Sequence, residues 1–249
     1  MASPFLQEPY RHKLTLMRYR LERVLSSLDG LVLGVPAPHD PRSYGSAKAF
    51  HDDLITIEHS LRENGDPEIA DEDLKDLIRL VDSFGFHLMH LDVRQESSRH
   101  TEAVAELFRN GLGLDYLNMT ESARLNCLQE ALLLPAGLPF DESLITDSTR
   151  EVLNVFEILT EMRAKIGAQC FGQYVISMTH QASHILEVLV LAKQRGLLGH
   201  VGGQWFCHLQ VSPLFETIDD LHRIEEVLES LLSHPVYREL VARSEEHTS

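Results

Sequence analysis

The chain has 249 residues, a net charge of −16 at pH 7 and a hydrophobic content of 43%. This length is enough for one large domain or two small ones, and the strong negative charge argues against a nucleic-acid partner. No apolar run approaches the roughly 18 residues of a membrane span, and the first residues lack the apolar segment of a secretory signal.

The first third of the chain, residues 1–85, is predicted to be mostly helical. Apolar residues at helical spacing predict a helix over 5–28. A stretch rich in Gly, Pro and Ser predicts a loop over 30–47, and two more helices are predicted over 50–63 and 71–83. The first helix is rich in Arg and Lys, which we interpret as a solvated face rather than as an anion site.

From residue 86 onward, predicted strands alternate with predicted helices. Short apolar runs that are typical of buried strands lie at 86–93, 171–178 and 205–211. The helices that follow them, and those between them, are predicted over 98–110, 121–133, 148–165, 184–195, 218–232 and 235–241. Strands that are each followed by a helix indicate part of a parallel sheet, and fully apolar strands require that both faces of this sheet be covered.

Several helices carry a predicted N-cap, which is a side chain that accepts a hydrogen bond from the first helical turn. The caps are Thr120, Ser183 and Thr217. Asp219 and Asp220 lie in the first turn of the last of these helices, where their charges complement the helix dipole.

Polar residues follow each predicted strand, and Arg94 and Glu216 are the most informative of them. Because the carboxyl ends of parallel strands meet at one edge of a sheet, we expect these two side chains at the same end of neighbouring strands. The planar fork of arginine suits phosphate or carboxylate, and glutamate supplies an oxygen ligand for Mg²⁺. The alternative is that Arg94 is a solvated loop charge and Glu216 a helix-dipole charge.

The histidines and cysteines predict no metal site by their spacing. His180 and His184 lie four residues apart, but the predicted cap at Ser183 stands between them, so they do not share a helix face. No role is assigned to either of them or to His100. The cysteines are odd in number and unclustered, which indicates reduced thiols in a cytosolic protein; they are Cys127, Cys170 and Cys207.

Several motifs resemble the phosphoenolpyruvate carboxylase family, and they occur in the family's order over residues 8 to about 241. They are EPYR at 8–11, LDVRQES at 91–97 with RHTE at 99–102, YVISM at 174–178, and SPLFET at 212–217 followed by DDL at 219–221. DVRQES and PLFET together are specific to the family, whereas EPYR alone is weak.

The resemblance implies an α/β fold, in which residues 86–242 form a partial (β/α) barrel of parallel strands with extensive additional helices. It implies a cytoplasmic, homotetrameric lyase that uses Mg²⁺ or Mn²⁺ to join phosphoenolpyruvate and bicarbonate, giving oxaloacetate for the tricarboxylic acid cycle. Arg94 is then the substrate-phosphate arginine, and Glu216 is one of two carboxylate metal ligands. Neither nucleic acid nor a membrane is an expected partner.

Other family motifs are missing from the chain: a TAHPTE-like motif with the catalytic histidine, a GYSDSxKD-like motif with the second metal carboxylate, and a Gly- and Arg-rich loop. We therefore expect an internal fragment that is inactive alone, and we assign no catalytic residue in it. His184 stands where the family has Asp, so no role carries over to it. Residues 243–249 do not continue the pattern; they resemble a translated sequencing adapter and are expected to form a non-native tail.

Two other classes of function stay open. A different barrel enzyme acting on another phosphorylated small acid would keep Arg94 and Glu216 as a site. A non-catalytic helical binding module would leave both as surface charges. The missing motifs, if found in the same reading frame, would decide among these readings.

Overall fold

The computed structural model describes residues 7–35 and 40–246, with side chains described for all of these except residues 31 and 243–246. The chain divides into two compact units, Met1–Met89 and His90–Ser249. The structure combines many helices with a parallel sheet, so the predicted α/β class is confirmed. None of the helices in this part of the chain is both long and apolar enough to cross a membrane.

In the part that the structure describes, helices are the regular secondary structure of the first unit, and turns connect them. Its helices are α1 (Pro9–Val32), α2 (Ala47–Glu63), α3 (Pro67–Ala70) and α4 (Asp73–Phe84). The core of this unit consists of apolar side chains from its four helices and from the segment before α2: Met17, Tyr44, Phe50, Leu54, Ile57, Leu61, Ala70 and Ile78.

Two predictions for the first unit need correction. Helix α1 continues to Val32, into the predicted loop, of which residues 36–39 lie outside the described part. The basic residues of α1 are not all simply solvated, because Lys13 and Arg20 both contact the carboxylate of Asp53, which also accepts a hydrogen bond from the Tyr44 hydroxyl. A structural ion-pair cluster therefore accounts for part of the positive charge on this helix.

The second unit alternates helices with strands. Its helices are α5 (Ser97–Leu112), α6 (Glu121–Leu133), α7 (Asp147–Lys165), α8 (Ala182–Gln194), α9 (Ile218–Ser233) and α10 (Pro235–Glu246). Its strands are β1 (Leu91–Glu96), β2 (Phe171–Ser177), β3 (Leu198–Val201), β4 (Gln204–Cys207) and β5 (Gln210–Pro213). Strands β1, β2 and β5 form a parallel sheet in that order, and β3 pairs with β4 as an antiparallel hairpin.

The predicted strand positions were only partly right. The strand predicted over 86–93 begins at Leu91, and the apolar Leu88 and Met89 before it are exposed in a turn. An apolar run therefore did not specify a buried strand here; pairing of Leu91 with Phe171 of β2 sets where β1 begins. The strand predicted over 205–211 is in fact divided between β4 and β5.

The sequence analysis also missed a hairpin turn before β4, which pairs this strand with β3 and not with the parallel sheet. Gly202 and Gly203 connect β3 to β4, and both have positive φ angles, 60° and 81°. Two consecutive residues with positive φ are what a tight two-residue hairpin turn requires, and glycine adopts that conformation without strain.

The predicted caps also had mixed outcomes. Thr120 and Thr217 accept hydrogen bonds from Ala123 and Asp220, so both caps are confirmed. Ser183 is not a cap, because α8 begins at Ala182 after Gln181. The backbone N–H and hydroxyl of Ser183 instead donate to the two carboxylate oxygens of Glu121, at 2.9 and 2.8 Å.

The main core lies on one side of the parallel sheet. Every residue of helix α8 from Ala182 to Ala192 is buried, and α5, α6 and α7 pack around it. One row across the sheet, formed by Val93, Tyr174 and Val211, faces this core. Helix α10 continues to Glu246, past the predicted break near residue 242, and residues 247–249 are outside the described part, so the non-native tail stays a prediction.

Candidate functional site

Arg94 and Glu216 come together at one end of the parallel sheet. Arg94 lies in β1, Glu216 follows the end of β5, and β2 runs between them in the same direction. The Nη2 group of Arg94 donates a hydrogen bond to Oε1 of Glu216 at 2.8 Å. Their predicted position at the same end of near-adjacent parallel strands is therefore confirmed, while their roles as phosphate and metal ligands stay predictions.

The sheet face that carries Arg94 is open and polar in the described part of the chain, so the prediction that both faces of the sheet are covered is wrong here. Arg94 pairs with Val175 of β2, which pairs with Ser212 of β5, so the three residues form one row on the face opposite the helical core. On the same face, the side-chain amide of Gln173 donates to that of Gln210 at 2.9 Å. The Arg94 side chain is 61% exposed and that of Glu216 34%, so both can reach a ligand over this face.

The end of β2, which lies between the two residues, is tightly fixed by hydrogen bonds. The Ser97 hydroxyl donates to the carbonyl oxygen of Met178 at 2.6 Å, and the Thr179 N–H donates to the carbonyl oxygen of Leu214 at 3.1 Å. Met178 itself has φ of 55°, in the left-handed region that residues other than glycine rarely occupy. Such a strained residue persists only where its surroundings determine its conformation, and it is found most often near functional sites.

A histidine and an aspartate connect the end of β2 to the start of α9. Nδ1 of His180 is 2.5 Å from Oδ1 of Asp220, and the other oxygen of Asp220 accepts the N–H of Thr217 at 3.0 Å. The hydrogen bonds from His180 and Thr217 hold the pKa of Asp220 at about 2, so its carboxylate is ionised and can only accept. His180 also borders a cleft of about 290 Å³, together with Glu121 and Arg223 among others.

Sequence reasoning missed a group of buried polar residues behind the sheet. The carboxylate of Glu187 accepts hydrogen bonds from the hydroxyls of Thr101 and Tyr116, at 2.7 and 2.8 Å. Burial raises the pKa of Glu187 to about 7. His100, whose Nε2 lies 2.8 Å from the Tyr174 hydroxyl, has its pKa lowered to about 3, chiefly by burial. A lone glutamate within the apolar run of α8 was the signal that could have identified Glu187.

The residues of this structure do not form a metal site by themselves. Across 7–35 and 40–246, no group of three or more His, Cys, Asp or Glu side chains is arranged to hold a metal ion. Glu216 is a single carboxylate, and Arg94 already occupies one of its oxygens. The His180 N–H donates to Nδ1 of His184, which gives this histidine pair a structural explanation and no ligand geometry.

The family model and the curated relatives that match this sequence all carry the same description. The sequence model of one family, described as phosphoenolpyruvate carboxylase, matches residues 1–248. The phosphoenolpyruvate carboxylase of Rhodothermus marinus is 38% identical over 246 residues, which cover 94% of this chain and 26% of that protein. Those of a Synechococcus species and Mycobacterium leprae are 36% and 38% identical, over 96% and 94% of this chain and 23% and 25% of their own lengths. The chain thus spans about a quarter of the length of these curated relatives.

Proposed function

This chain belongs to the phosphoenolpyruvate carboxylase family, and we propose that it is a segment of an enzyme that carboxylates phosphoenolpyruvate with bicarbonate, giving oxaloacetate and phosphate. The observation that carries the proposal is the contact between Arg94 and Glu216, which brings the two family motifs to one end of the sheet. The family match disfavours both a barrel enzyme of another specificity and a non-catalytic binding module.

Arg94 is the proposed ligand of the substrate phosphate. A guanidinium has five N–H donors in a planar fork, and Glu216 accepts from Nη2 only, at 2.8 Å. The remaining donors suit two-pronged binding of a phosphate. Glu216 then keeps the fork oriented toward the open face before the substrate arrives.

Glu216 is also the proposed donor of one carboxylate to Mg²⁺ or Mn²⁺. Because the described residues contain no group of three or more His, Cys, Asp or Glu side chains arranged to hold a metal ion, further protein ligands would come from elsewhere in a longer protein. A divalent ion bound at such a site supplies positive charge next to phosphate and enolate oxygens.

In the proposed reaction, the phosphoryl group passes from phosphoenolpyruvate to bicarbonate, which leaves the enolate of pyruvate and carboxyphosphate. Carboxyphosphate releases CO₂ and phosphate, and the enolate carbon attacks the CO₂ to form oxaloacetate. The contribution of this chain is to orient the phosphate through Arg94 and to stabilise the negative charge on it during transfer.

The compartment, the oligomeric state and the metabolic role of the parent enzyme follow from the same proposal. A cytoplasmic, homotetrameric parent that feeds the tricarboxylic acid cycle is what the family resemblance implies. The free thiols of Cys127, Cys170 and Cys207 support a reducing compartment.

The first test is whether the 249-residue chain has activity alone. We expect no oxaloacetate, measured by coupling its formation to NADH oxidation, because Mg²⁺ held by a single protein carboxylate binds weakly. A longer protein that joins this segment to the missing motifs should be active in the same assay. Activity of the short chain, or inactivity of the longer protein, would contradict the proposal.

The second test is Arg94→Lys in that longer protein. Lysine offers a point charge instead of a fork, so kcat/KM for phosphoenolpyruvate should fall on the order of tenfold or more. Arg99→Lys is the matched control, because Arg99 belongs to the adjacent motif but pairs with Glu151 on α7. Unchanged kinetics of the Arg94 variant would reassign this residue to a structural ion pair.

A further inference from the structure

The carboxylate of Asp220 forms hydrogen bonds with two parts of the candidate site, the end of β2 and the start of α9. One of its oxygens accepts from His180, at the end of β2, and the other accepts the backbone N–H of Thr217, which directly follows Glu216. The Asp220 N–H in turn donates to the Thr217 hydroxyl, which completes a capping box at the start of α9. The backbone next to Glu216 is therefore connected to the end of β2 through one buried side chain.

We propose that His180 is a positioning residue: through Asp220 it fixes the backbone at Thr217 and thereby holds the Glu216 carboxylate against Arg94. Its effect on the reaction rests on the proposed function, whereas its effect on the backbone does not. His180 belongs to none of the family motifs that were matched in the sequence.

Burial of Asp220 makes the histidine necessary. The Asp220 side chain is only 3% exposed, and a buried carboxylate that loses a donor is strongly destabilised. Without His180, the ionised carboxylate would have to turn toward water to satisfy the oxygen that the histidine contacts, and its hydrogen bond from the Thr217 N–H would weaken. Such a movement would displace the capping box and the adjacent Glu216.

The histidine is itself held in place, which makes it a suitable anchor. Its backbone follows Met178 and Thr179, whose hydrogen bonds to Ser97 and Leu214 fix the end of β2. Its N–H donates to Nδ1 of His184 at 3.3 Å, and the two rings lie edge to face with centroids 6.0 Å apart. The imidazole can therefore present Nδ1 to Asp220 with little loss of conformational freedom.

The structural part of the proposal can be tested in the 249-residue chain. Hydrogen exchange at the Thr217 amide should be about tenfold faster or more in His180→Leu. The substitution removes the histidine donor to Asp220, and the displaced carboxylate then holds the Thr217 N–H less firmly. His180→Asn keeps a donor near the position of Nδ1 and should restore slow exchange. His222→Leu, at an exposed position of α9, the helix that carries Asp220, is the matched control and should leave exchange at Thr217 unchanged.

A measurement on the unaltered protein keeps the proposal falsifiable if His180→Leu fails to fold. A long-range ¹H–¹⁵N spectrum of the histidine rings should show His180 protonated at Nδ1. A neutral His180 ring protonated only at Nε2 would overturn the proposal, as would unchanged Thr217 exchange in a folded His180→Leu.

The functional part is tested in the longer, active protein. His180→Leu should lower kcat/KM for phosphoenolpyruvate about tenfold, also well below its melting temperature, and His180→Asn should recover most of that loss. If the loss of kcat/KM disappears at low temperature, or if His222→Leu shows the same loss, His180 stabilises the fold and does not position Glu216. An inactive unaltered enzyme would instead refute the proposed function and leave the exchange result to stand by itself.

Discussion

The two faces of the parallel sheet are formed by alternate residues of the same strands, yet one is buried against helices and the other is open. On β2, Tyr174 and Ile176 are 2% and 0% exposed and pack into the helical core. Their neighbours Gln173 and Val175 lie on the open face, where Val175 belongs to the same row as Arg94 and Gln173 pairs with Gln210. The comparison indicates that the covered face stabilises the fold while the open face is available for ligands.

Polar groups show the same contrast. On the covered side, Glu187 receives two hydroxyl donors, and the ring of Tyr174 stacks on Phe156 with centroids 5.1 Å apart. On the open side, the Arg94–Glu216 contact is exposed to water and can be exchanged for a ligand. Buried polar groups must be paired because their desolvation is costly, whereas exposed groups can change partners with little change in free energy.

The largest expected difference in stability between the two faces is found by truncating two neighbouring residues of β2, one on each face. Ile176→Ala should destabilise the chain by about 2–5 kcal/mol, because it removes buried methyl groups and leaves a cavity. Val175→Ala, on the open face, should cost no more than about 1 kcal/mol. The free energy of unfolding of both variants can be measured by urea denaturation. Equal losses would mean that the open face also stabilises the fold.

A second prediction uses the pH dependence of the covered side. Burial raises the pKa of Glu187 from 4.5 to about 7, so the folded chain binds its proton more tightly than the unfolded chain. The resulting stabilisation is complete below pH 4.5 and is lost as the pH rises toward 7. Glu187→Gln cannot titrate, so the unfolding free energy of the wild type relative to this variant should fall by on the order of 2 kcal/mol over that range.

Glu229→Gln, at an exposed position on α9, is the matched control for this titration. Its unfolding free energy should keep the wild-type dependence on pH. If Glu187→Gln also keeps that dependence, the carboxylate is ionised in the folded chain throughout, and its two hydroxyl donors are enough to hold the charge.

The smallest expected effect on stability is at the open face. Arg94→Ala and Glu216→Gln should each change the free energy of unfolding by less than about 1 kcal/mol, because exposed ion pairs contribute little. A double-mutant cycle, repeated at high salt, measures their coupling, and salt should weaken it further. Coupling above about 2 kcal/mol would show that the pair is built into the fold and is less easily exchanged for a ligand than we infer.

Features with a local cause were predicted well from the sequence. Thr217 caps α9 because its hydroxyl reaches an amide only three residues away, and such a contact depends on few other parts of the chain. The same holds for Thr120 and for the alternation of strands with helices. The proximity of Arg94 and Glu216 was also predictable, because parallel strands bring their carboxyl ends to the same edge.

Features with a distant partner were decided only by the tertiary structure. Ser183 looked like a cap, but it donates to Glu121, which is 62 residues away in the chain, and His180 meets Asp220 40 residues away. The apolar residues before Leu91 remained outside the strand because pairing with β2, and not hydrophobicity, sets where β1 begins. Periodicity and local propensity record a residue's near neighbours, whereas a side chain's final partner depends on how separate elements pack, which no short stretch of sequence encodes.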